Sequence, residues 1–162
     1  MPKVKIKALV MDVDGTLTDG KVYMGVSGEI MKAFDIKDGY IIARLPTYNI
    51  IPIIITGRES EILINRCKEL NIHELHQGVH EKLNCLNQIL QSYKLNLSEV
   101  AYIGDDLNDK ECIEACGLTG CPSDAVLEIR QSVDYICNNK GGNGAVREFI
   151  EYIINKNNNN GN

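Results

Sequence analysis

Two aspartates separated by a single residue are the clearest candidates for chemistry in this chain. Asp12 and Asp14 follow an apolar run that starts at Lys7, and Gly15 allows a sharp turn directly after them. Both carboxyl groups are then expected near one point. One can attack a phosphorus atom and form an aspartyl phosphate, while the other protonates the leaving oxygen and later activates water. The pair therefore predicts a phosphoryl-transfer site.

A second acidic group follows another apolar run further along the chain. Asp105, Asp106 and Asp109 come directly after residues 100–103, which read as a buried strand. Two close carboxylates repel each other unless a cation lies between them. Mg²⁺ is the natural choice, because it keeps several waters and binds only one or two carboxylates together with substrate phosphate. The sequence therefore predicts a magnesium site.

Polar and cationic residues at two further positions complete the set that phosphate chemistry needs. Thr56, Gly57 and Arg58 end the apolar run 50–55, and Lys82 stands at the start of a helical pattern. The threonine and the N–H groups after it can hold phosphoryl oxygens, while Lys82 can neutralise the nucleophile and the phosphoryl charge. Each feature alone is common on protein surfaces. Together, in this order and at three strand ends, they favour a phosphatase.

Alternating strand and helix patterns indicate how these residues are positioned. Short β-branched runs are separated by helical patterns, which predicts an α/β fold with a doubly wound, mostly parallel sheet. In such sheets ligands bind outside the carboxyl ends of the strands, where all three motifs fall. The predicted helices span residues 60–70, 81–93, 107–115, 124–130 and 145–154, and shorter runs at 118–120 and 135–136 are possible edge strands.

Two segments depart from this alternation. Residues 21–34 read as a β-hairpin around Gly25-Val26-Ser27-Gly28. Residues 155–162 are almost all asparagine and are expected to be disordered, because they offer no packing surface. The interpretation is a single domain over residues 1–154 with a disordered tail.

Composition narrows the functional classes. The chain has 162 residues, a formal net charge of −5 and a pI of about 5.2, which argue against nonspecific binding to nucleic acid or anionic membranes. No apolar run approaches the length of a membrane span, and the basic N-terminus lacks the long apolar segment of a signal peptide. We therefore expect a cytoplasmic protein.

The cysteines and histidines do not favour a zinc site. Cys112, Cys116 and Cys121 lack the paired close spacing of structural zinc sites, and so do the three histidines, His73, His76 and His80. All six cysteines are expected to be reduced thiols in apolar surroundings.

The segment from Asp12 to Gly20 resembles the first motif of haloacid dehalogenase-type phosphatases. Thr56, Lys82 and the run from Gly104 to Asp109 match the second, third and fourth motifs of that superfamily. The resemblance implies that Asp12 is the nucleophile and Asp14 the general acid and base. It further implies that Mg²⁺ is ligated by Asp12, Asp105 and the backbone carbonyl of Asp14, with Asp106 and Asp109 in supporting positions.

Further segments narrow the resemblance to the capless 3-deoxy-D-manno-octulosonate 8-phosphate phosphatases. They are Thr18–Gly20, Phe34–Gly39, Ile55–Arg58, Ala101–Asp106 and Lys140–Glu148, and the similarity covers about residues 6–154. It implies a phosphorylated sugar acid as substrate, Arg58 facing its carboxylate, and a homotetramer assembled through the hairpins. Asp35 and Asp38 are expected to position the site or the hairpin. Gly141, Gly142 and Gly144 are expected to form either a lid or turn near the active site or a loop that initiates the following helix.

Three alternatives remain open at this point. A phosphatase for a nonulosonate 9-phosphate or another small phosphosugar would carry nearly the same motifs. A receiver-type signalling domain also has an acidic pair and an aspartyl phosphate, but its phosphoacceptor follows the third strand and a lysine follows the fifth. Here the strand after the first helix ends in Thr56-Gly57-Arg58, and a second acidic cluster follows a later strand. A catalytically inactive assembly domain is the third alternative, and the complete catalytic set argues against it.

Overall fold

A six-stranded parallel sheet forms the centre of the structure, a computed structural model that describes residues 4–161. The sheet has the order β5-β4-β1-β6-β7-β8, and every neighbouring pair is parallel. Its strands are β1 (Ala8–Met11), β4 (Ile51–Ile55), β5 (Glu74–His76), β6 (Val100–Ile103), β7 (Leu118–Cys121) and β8 (Tyr135–Ile136). The predicted basic N-terminal segment begins at residues 1–3, which lie outside the described residues.

Helices cover both faces of this sheet, which confirms the predicted doubly wound α/β architecture. One face packs against α1 (Ile36–Ile42), α2 (Glu61–Glu69) and α6 (Ala145–Asn159), and the other against α3 (Lys82–Tyr93), α4 (Lys110–Ala115) and α5 (Leu127–Arg130). Alternate residues of each central strand enter opposite cores: Leu9 and Met11 join the first, and Ala8 and Val10 the second. This two-sided burial explains why the strands read as continuous apolar runs.

The predicted hairpin is present as a separate two-stranded sheet. It consists of β2 (Tyr23–Gly25) and β3 (Gly28–Met31), which pair antiparallel with a register shift between Tyr23 and Met24. Apart from this hairpin, no inserted domain interrupts the chain between residues 4 and 161. Phe34, at the end of the segment predicted as a hairpin, packs against the core beneath Arg66.

The last helix corrects the expectation of a disordered tail. It continues through Asn159, so residues 155–159 are helical. The side chain of Asn157 anchors this end, because it accepts a hydrogen bond from the N–H of Ile6 and donates one to the Ile6 carbonyl, each at 2.9 Å. These contacts with the segment that precedes β1 outweigh the weak helix propensity of asparagine. Asn162 lies outside the described residues.

Two further observations bear on the compositional expectations. The six cysteines are free thiols, of which Cys67, Cys112, Cys121 and Cys137 are buried. Burial raises the pKa of Cys112 to about 12, so that thiol stays protonated near neutral pH. None of the helices between residues 4 and 161 is both long and apolar enough to cross a membrane.

Candidate active site

Strand register brings the sequence motifs to one edge of the sheet. Met11 of β1 pairs with Ile54 of β4 on one side and with Ile103 of β6 on the other. The residues that follow these three strands therefore leave the sheet side by side, and they include Asp12 and Asp105. The N–H of Asp12 donates to the Ile103 carbonyl at 3.1 Å, which continues the ladder to the base of the site.

Asp12 is almost completely buried and is paired with a buried lysine. The Nζ of Lys82, at the first residue of α3, donates to Oδ1 of Asp12 and to Oδ1 of Asp109, each at 2.8 Å. Burial alone would lower the pKa of Lys82, but the two carboxylates raise it above its usual value. Lys82 is therefore an ammonium group directly beside the predicted nucleophile, and not a solvated surface charge.

Both carboxylate oxygens of Asp109 accept hydrogen bonds. Oδ1 accepts from Lys82 and from the hydroxyl of Tyr102 at 2.6 Å, while Oδ2 accepts from the backbone N–H groups of Asp105 and Asp106 at 3.0 and 3.3 Å. Burial and the Asp109 carboxylate raise the pKa of Tyr102 well above its usual value, so it remains a neutral donor. Asp109 thus holds the loop that carries Asp105, as a supporting residue would.

Asp105 lies against the loop that follows Asp12. Its Oδ1 accepts from the hydroxyl of Thr16 at 3.0 Å, and its Oδ2 packs so closely on Gly15 that a Cβ there would lie 2.0 Å away. Gly15 also has a φ of +92°, which glycine adopts without strain. Asp106 is displaced from this contact, because its side chain caps the next turn by accepting from the N–H of Leu107 at 2.7 Å.

The acidic cluster fits a hard cation. Asp12, Asp105 and Asp109 each offer a carboxylate oxygen within 4.8 Å of the others. Burial and the Asp109 carboxylate raise the pKa of Asp12 to about 6 against the opposing effect of Lys82, and burial with the Asp12 carboxylate raises that of Asp105 to about 8. Such mutual repulsion is what a divalent cation between the two groups relieves. The ligand role of the Asp14 carbonyl stays a prediction.

Thr56, Gly57 and Arg58 follow β4 at the same edge. Thr56 is buried, and its N–H donates to the His76 carbonyl at 2.9 Å. This N–H is therefore part of the hydrogen bonding of the sheet and is not available to a phosphoryl group. The side chain of Arg58 is about half exposed, at 47%. Its guanidinium therefore borders the site with donors facing solvent.

Asp14 lies beneath the hairpin, in a network that pattern reasoning did not identify. The Nζ of Lys32 donates to Oδ1 of Asp14 at 2.6 Å and lies 3.0 Å from Oε2 of Glu29. Glu29 also accepts from Arg58 Nη2 at 3.3 Å and from the Ser60 hydroxyl at 2.8 Å. Burial raises the pKa of Glu29, but the hydrogen bonds from Ser60 and Lys32 outweigh it and the net shift is downward. The hairpin therefore reaches the candidate site of the same chain.

Asp35 and Asp38 lie in the scaffold. Asp35 caps α1, because Oδ1 accepts from the N–H groups of Lys37 and Asp38 at 2.7 and 3.0 Å. Asp38 is buried, and its Oδ1 accepts from the N–H of Arg147 at 2.8 Å, which joins α1 to α6. In this structure both residues contact helix termini.

The glycine-rich segment forms a turn packed on the loop after Asp14. The N–H of Gly142 donates to the Thr16 carbonyl at 3.1 Å, and a Cβ on Gly141 would lie 2.0 Å from the Gly15 carbonyl oxygen. Gly144, with a φ of +96°, precedes α6. The segment is thus a turn beside the loop after Asp14, and it also leads directly into α6.

Some functional residues carried a weak signal that sequence reasoning passed over. Glu29 lies within the hairpin strand β3 and Lys32 directly after it, in an otherwise apolar stretch, and Tyr102 is a polar aromatic residue inside a fully buried strand. Each departs from the apolar pattern of its element. Thr16 and Ser60 carried no such signal, since hydroxyl residues are ordinary in loops.

Comparison with known proteins places the chain in a family. Residues 71–150 match a model of haloacid dehalogenase-like hydrolases. The 3-deoxy-D-manno-octulosonate 8-phosphate phosphatase of Salmonella typhi is 41% identical over 149 residues, which cover 92% of this chain and 79% of that protein. The chain belongs to the 3-deoxy-D-manno-octulosonate 8-phosphate phosphatase family. Membership confirms the predicted resemblance and excludes the receiver-type alternative.

Solved structures agree with this membership. The 3-deoxy-D-manno-octulosonate 8-phosphate phosphatase of Moraxella catarrhalis, in complex with magnesium ion, phosphate ion and KDO molecule, has a TM-score of 0.91 and 40% identity, covering 96% of this chain and 90% of that one. The cobalt-bound phosphatase of Haemophilus influenzae has a TM-score of 0.92 and 33% identity, covering 95% and 90%. Members of this phosphatase family thus share the fold of nearly the whole chain.

Proposed function

We propose that this protein is a Mg²⁺-dependent phosphatase that hydrolyses 3-deoxy-D-manno-octulosonate 8-phosphate. The observation that carries the proposal is the buried cluster of Asp12, Lys82 and Asp109 at the sheet edge, with Asp105 within reach of the same point. This cluster combines a nucleophile, an ammonium group and a site that fits a cation. The substrate follows from the similarity to phosphatases that bear this name over nearly the whole chain.

In the first half of the reaction, the carboxylate of Asp12 attacks phosphorus. A bond forms between Asp12 and phosphorus while the bond to the sugar oxygen breaks, and Asp14 gives its proton to that oxygen. Lys82, at 2.8 Å from Asp12, offsets the negative charge that gathers around the phosphoryl group. The free sugar acid leaves, and the phosphoryl group remains on Asp12.

In the second half, water replaces the sugar. Asp14, now a carboxylate, accepts a proton from a water molecule whose oxygen attacks phosphorus, and the bond to Asp12 breaks to release inorganic phosphate. Mg²⁺, held by Asp12, Asp105 and the backbone carbonyl of Asp14, supplies charge neutralisation for the phosphoryl oxygens. The supporting donors on Asp109 keep the loop of Asp105 in place throughout.

Arg58 supports recognition of a sugar acid. Its guanidinium is held at one point by Glu29 and still faces solvent beside Asp14, whose Oδ2 lies 3.9 Å from Arg58 Nε. A planar guanidinium can receive a carboxylate through two parallel hydrogen bonds, which a neutral sugar cannot offer. Arg58 therefore gives preference to substrates that carry a carboxylate as well as a phosphate.

The hairpin supports a homotetramer. Five apolar side chains on it are exposed in the single chain: Val22, Met24, Val26, Ile30 and Met31. A surface of this kind is expected to be covered by another subunit. Light scattering should give a mass of four chains. A monomer, or a tetramer that persists when Met24 and Ile30 are both replaced by Ser, would contradict assembly through this surface.

A substrate screen tests the proposed function directly. Purified protein is assayed for phosphate release from 3-deoxy-D-manno-octulosonate 8-phosphate, a nonulosonate 9-phosphate and a neutral hexose 6-phosphate, with Mg²⁺ and with EDTA. The first substrate should have the highest kcat/KM, and EDTA should abolish activity until Mg²⁺ is restored. Ca²⁺ should not restore it, because its looser coordination holds the nucleophile unproductively. Preference for the nonulosonate phosphate would instead support the alternative substrate, and full activity in EDTA would overturn the metal role.

A further inference from the structure

Lys32 is the least exposed charged side chain of the hairpin. Its side chain is 3% exposed, although the hairpin itself lies at the surface. An ammonium group is rarely buried without carboxylate partners, and Lys32 has two, Asp14 at 2.6 Å and Glu29 at 3.0 Å. The lysine is therefore directed into the site by charge and does not lie there through chance packing.

Glu29 connects the ammonium group of Lys32 to the rest of the domain. One of its oxygens accepts from Ser60 at 2.8 Å, and the other lies within 3.3 Å of both Lys32 and Arg58. Ser60 directly precedes α2, so Glu29 connects the hairpin to the rigid part of the domain. The ammonium of Lys32 is consequently fixed relative to the sheet edge where Asp14 lies.

Asp14 depends on this lysine for its orientation. Within residues 4–161, Lys32 provides the single side-chain hydrogen bond to the Asp14 carboxyl group, and Arg58 approaches the other oxygen only to 3.9 Å. A proton donor must point at the leaving oxygen to be effective, and small displacements reduce the rate strongly. The hydrogen bond to Oδ1 leaves Oδ2 to face the substrate.

We propose that Lys32 is a positioning residue that holds the carboxyl group of Asp14 in the orientation from which it protonates the leaving oxygen, and that Glu29 fixes Lys32 for this purpose. The inference rests on the proposed phosphatase function. Lys32 itself forms and breaks no covalent bond. The proton still passes from Asp14 to the oxygen released from phosphorus, and the lysine keeps its own protons.

Leaving groups of different basicity separate this role from a structural one. Phenyl phosphate releases a basic phenolate that benefits from a proton, whereas p-nitrophenyl phosphate releases a stabilised anion that needs little help. Both are small and carry no carboxylate, so Arg58 treats them alike. Loss of orientation at Asp14 should therefore lower kcat/KM for the first substrate far more than for the second, because kcat/KM reports the steps up to departure of the leaving group, whereas kcat also includes hydrolysis of the aspartyl phosphate common to both substrates.

The experiment compares kcat and KM of both substrates for wild type and Lys32→Met at saturating Mg²⁺. The variant should lose about 10- to 100-fold more kcat/KM on phenyl phosphate than on p-nitrophenyl phosphate. Asp14→Asn should show the same selective pattern, and Lys32→Arg should restore most of the lost rate. Lys21→Met is the matched control, since Lys21 is an exposed lysine before the same hairpin, and it should match wild type.

The outcomes distinguish the two levels of the argument. Equal losses on both substrates in Lys32→Met, or no loss at all, would overturn the positioning role while leaving the phosphatase intact. A wild-type protein that releases phosphate from neither aryl phosphate nor the sugar-acid phosphate would overturn the proposed function and this inference together. If Lys32→Met does not fold by circular dichroism, the same ratio is measured on Lys32→Gln, whose uncharged and shorter side chain should show the same selective loss; an equal loss on both substrates would overturn the positioning role.

Discussion

The centre of the site and its rim are built in different ways. At the centre, Asp12, Lys82 and Asp109 are buried and joined by short hydrogen bonds between residues far apart in the chain. At the rim, Arg58 is about half exposed and is held by Glu29 of the surface hairpin. The centre is therefore fixed by the core of the domain, whereas the rim depends on how the hairpin is held.

This difference separates chemistry from selection. Charges at the buried centre act on any phosphoryl group, because they lie next to the atoms that react. Charges at the rim act on whatever else the substrate carries, and solvent weakens them unless a neighbouring subunit covers the hairpin. Changes at the centre should affect all phosphomonoesters alike, and changes at the rim should affect them selectively.

Replacing the nucleophile gives the largest expected effect. Asp12→Asn should lower phosphate release at least about 1000-fold on the sugar-acid phosphate and on p-nitrophenyl phosphate equally, because the amide cannot attack phosphorus. Phosphate release and circular dichroism measured on the same preparation check this. A folded variant that works at the wild-type rate on either substrate would show that the buried centre does not carry the chemistry.

Removing the guanidinium group at the rim should have a smaller effect on activity, and one that depends on the substrate. Arg58→Ala should lower kcat/KM for 3-deoxy-D-manno-octulosonate 8-phosphate by about 10- to 100-fold, the value of a hydrogen-bonded carboxylate pair, and affect a neutral hexose 6-phosphate much less. Arg130→Ala is the control, because Arg130 is an exposed arginine at the end of α5. Equal losses on both substrates would mean that centre and rim cannot be separated in this way.

Asp38 is a buried carboxylate away from the site, and comparing it with Asp12 shows what ion pairing contributes at the centre of the site. Asp38 is as buried as Asp12, but no ammonium group pairs with it and its Oδ2 has no hydrogen-bond partner among residues 4–161. Burial, more than any other effect, raises its pKa from 3.8 to about 6. The folded state then binds this proton more tightly than the unfolded state, so the stability contributed by protonation is present at low pH and is lost as the pH rises through about 6.

The Asp38→Asn variant isolates that contribution. Its free energy of unfolding, relative to wild type, should improve by about 2 kcal/mol between pH 4 and pH 7, because only the wild-type protein carries the cost of a buried charge at the higher pH. Urea unfolding of both proteins at the two pH values measures the difference. A difference that does not change with pH would show that Asp38 titrates normally.

Several differences between prediction and structure have local physical causes. The bounds of α1 were not predicted, because Asp38 and Gly39 within it are poor helix formers. Gly39 is present there because a Cβ would lie 2.2 Å from the Arg66 guanidinium, a contact between helices that no local pattern shows. β5 was not expected either, since Glu74–His76 is short and polar and is a strand only through its pairing with β4.

The sequence by itself determined the parallel sheet, the strand ends and the residues that follow them. Apolar runs that end near Asp12, Thr56 and Asp105 must leave a parallel sheet at the same edge. The proximity of these three residues therefore follows from the apolar strand pattern and from the order of the strands along the chain. Only the tertiary structure decided that Lys32 reaches Asp14, that Glu29 holds Arg58, and that residues 155–159 are helical. Those contacts depend on the positions of a surface hairpin and of the C-terminal segment. Long-range packing determines these positions, and it produces no periodic pattern in the sequence.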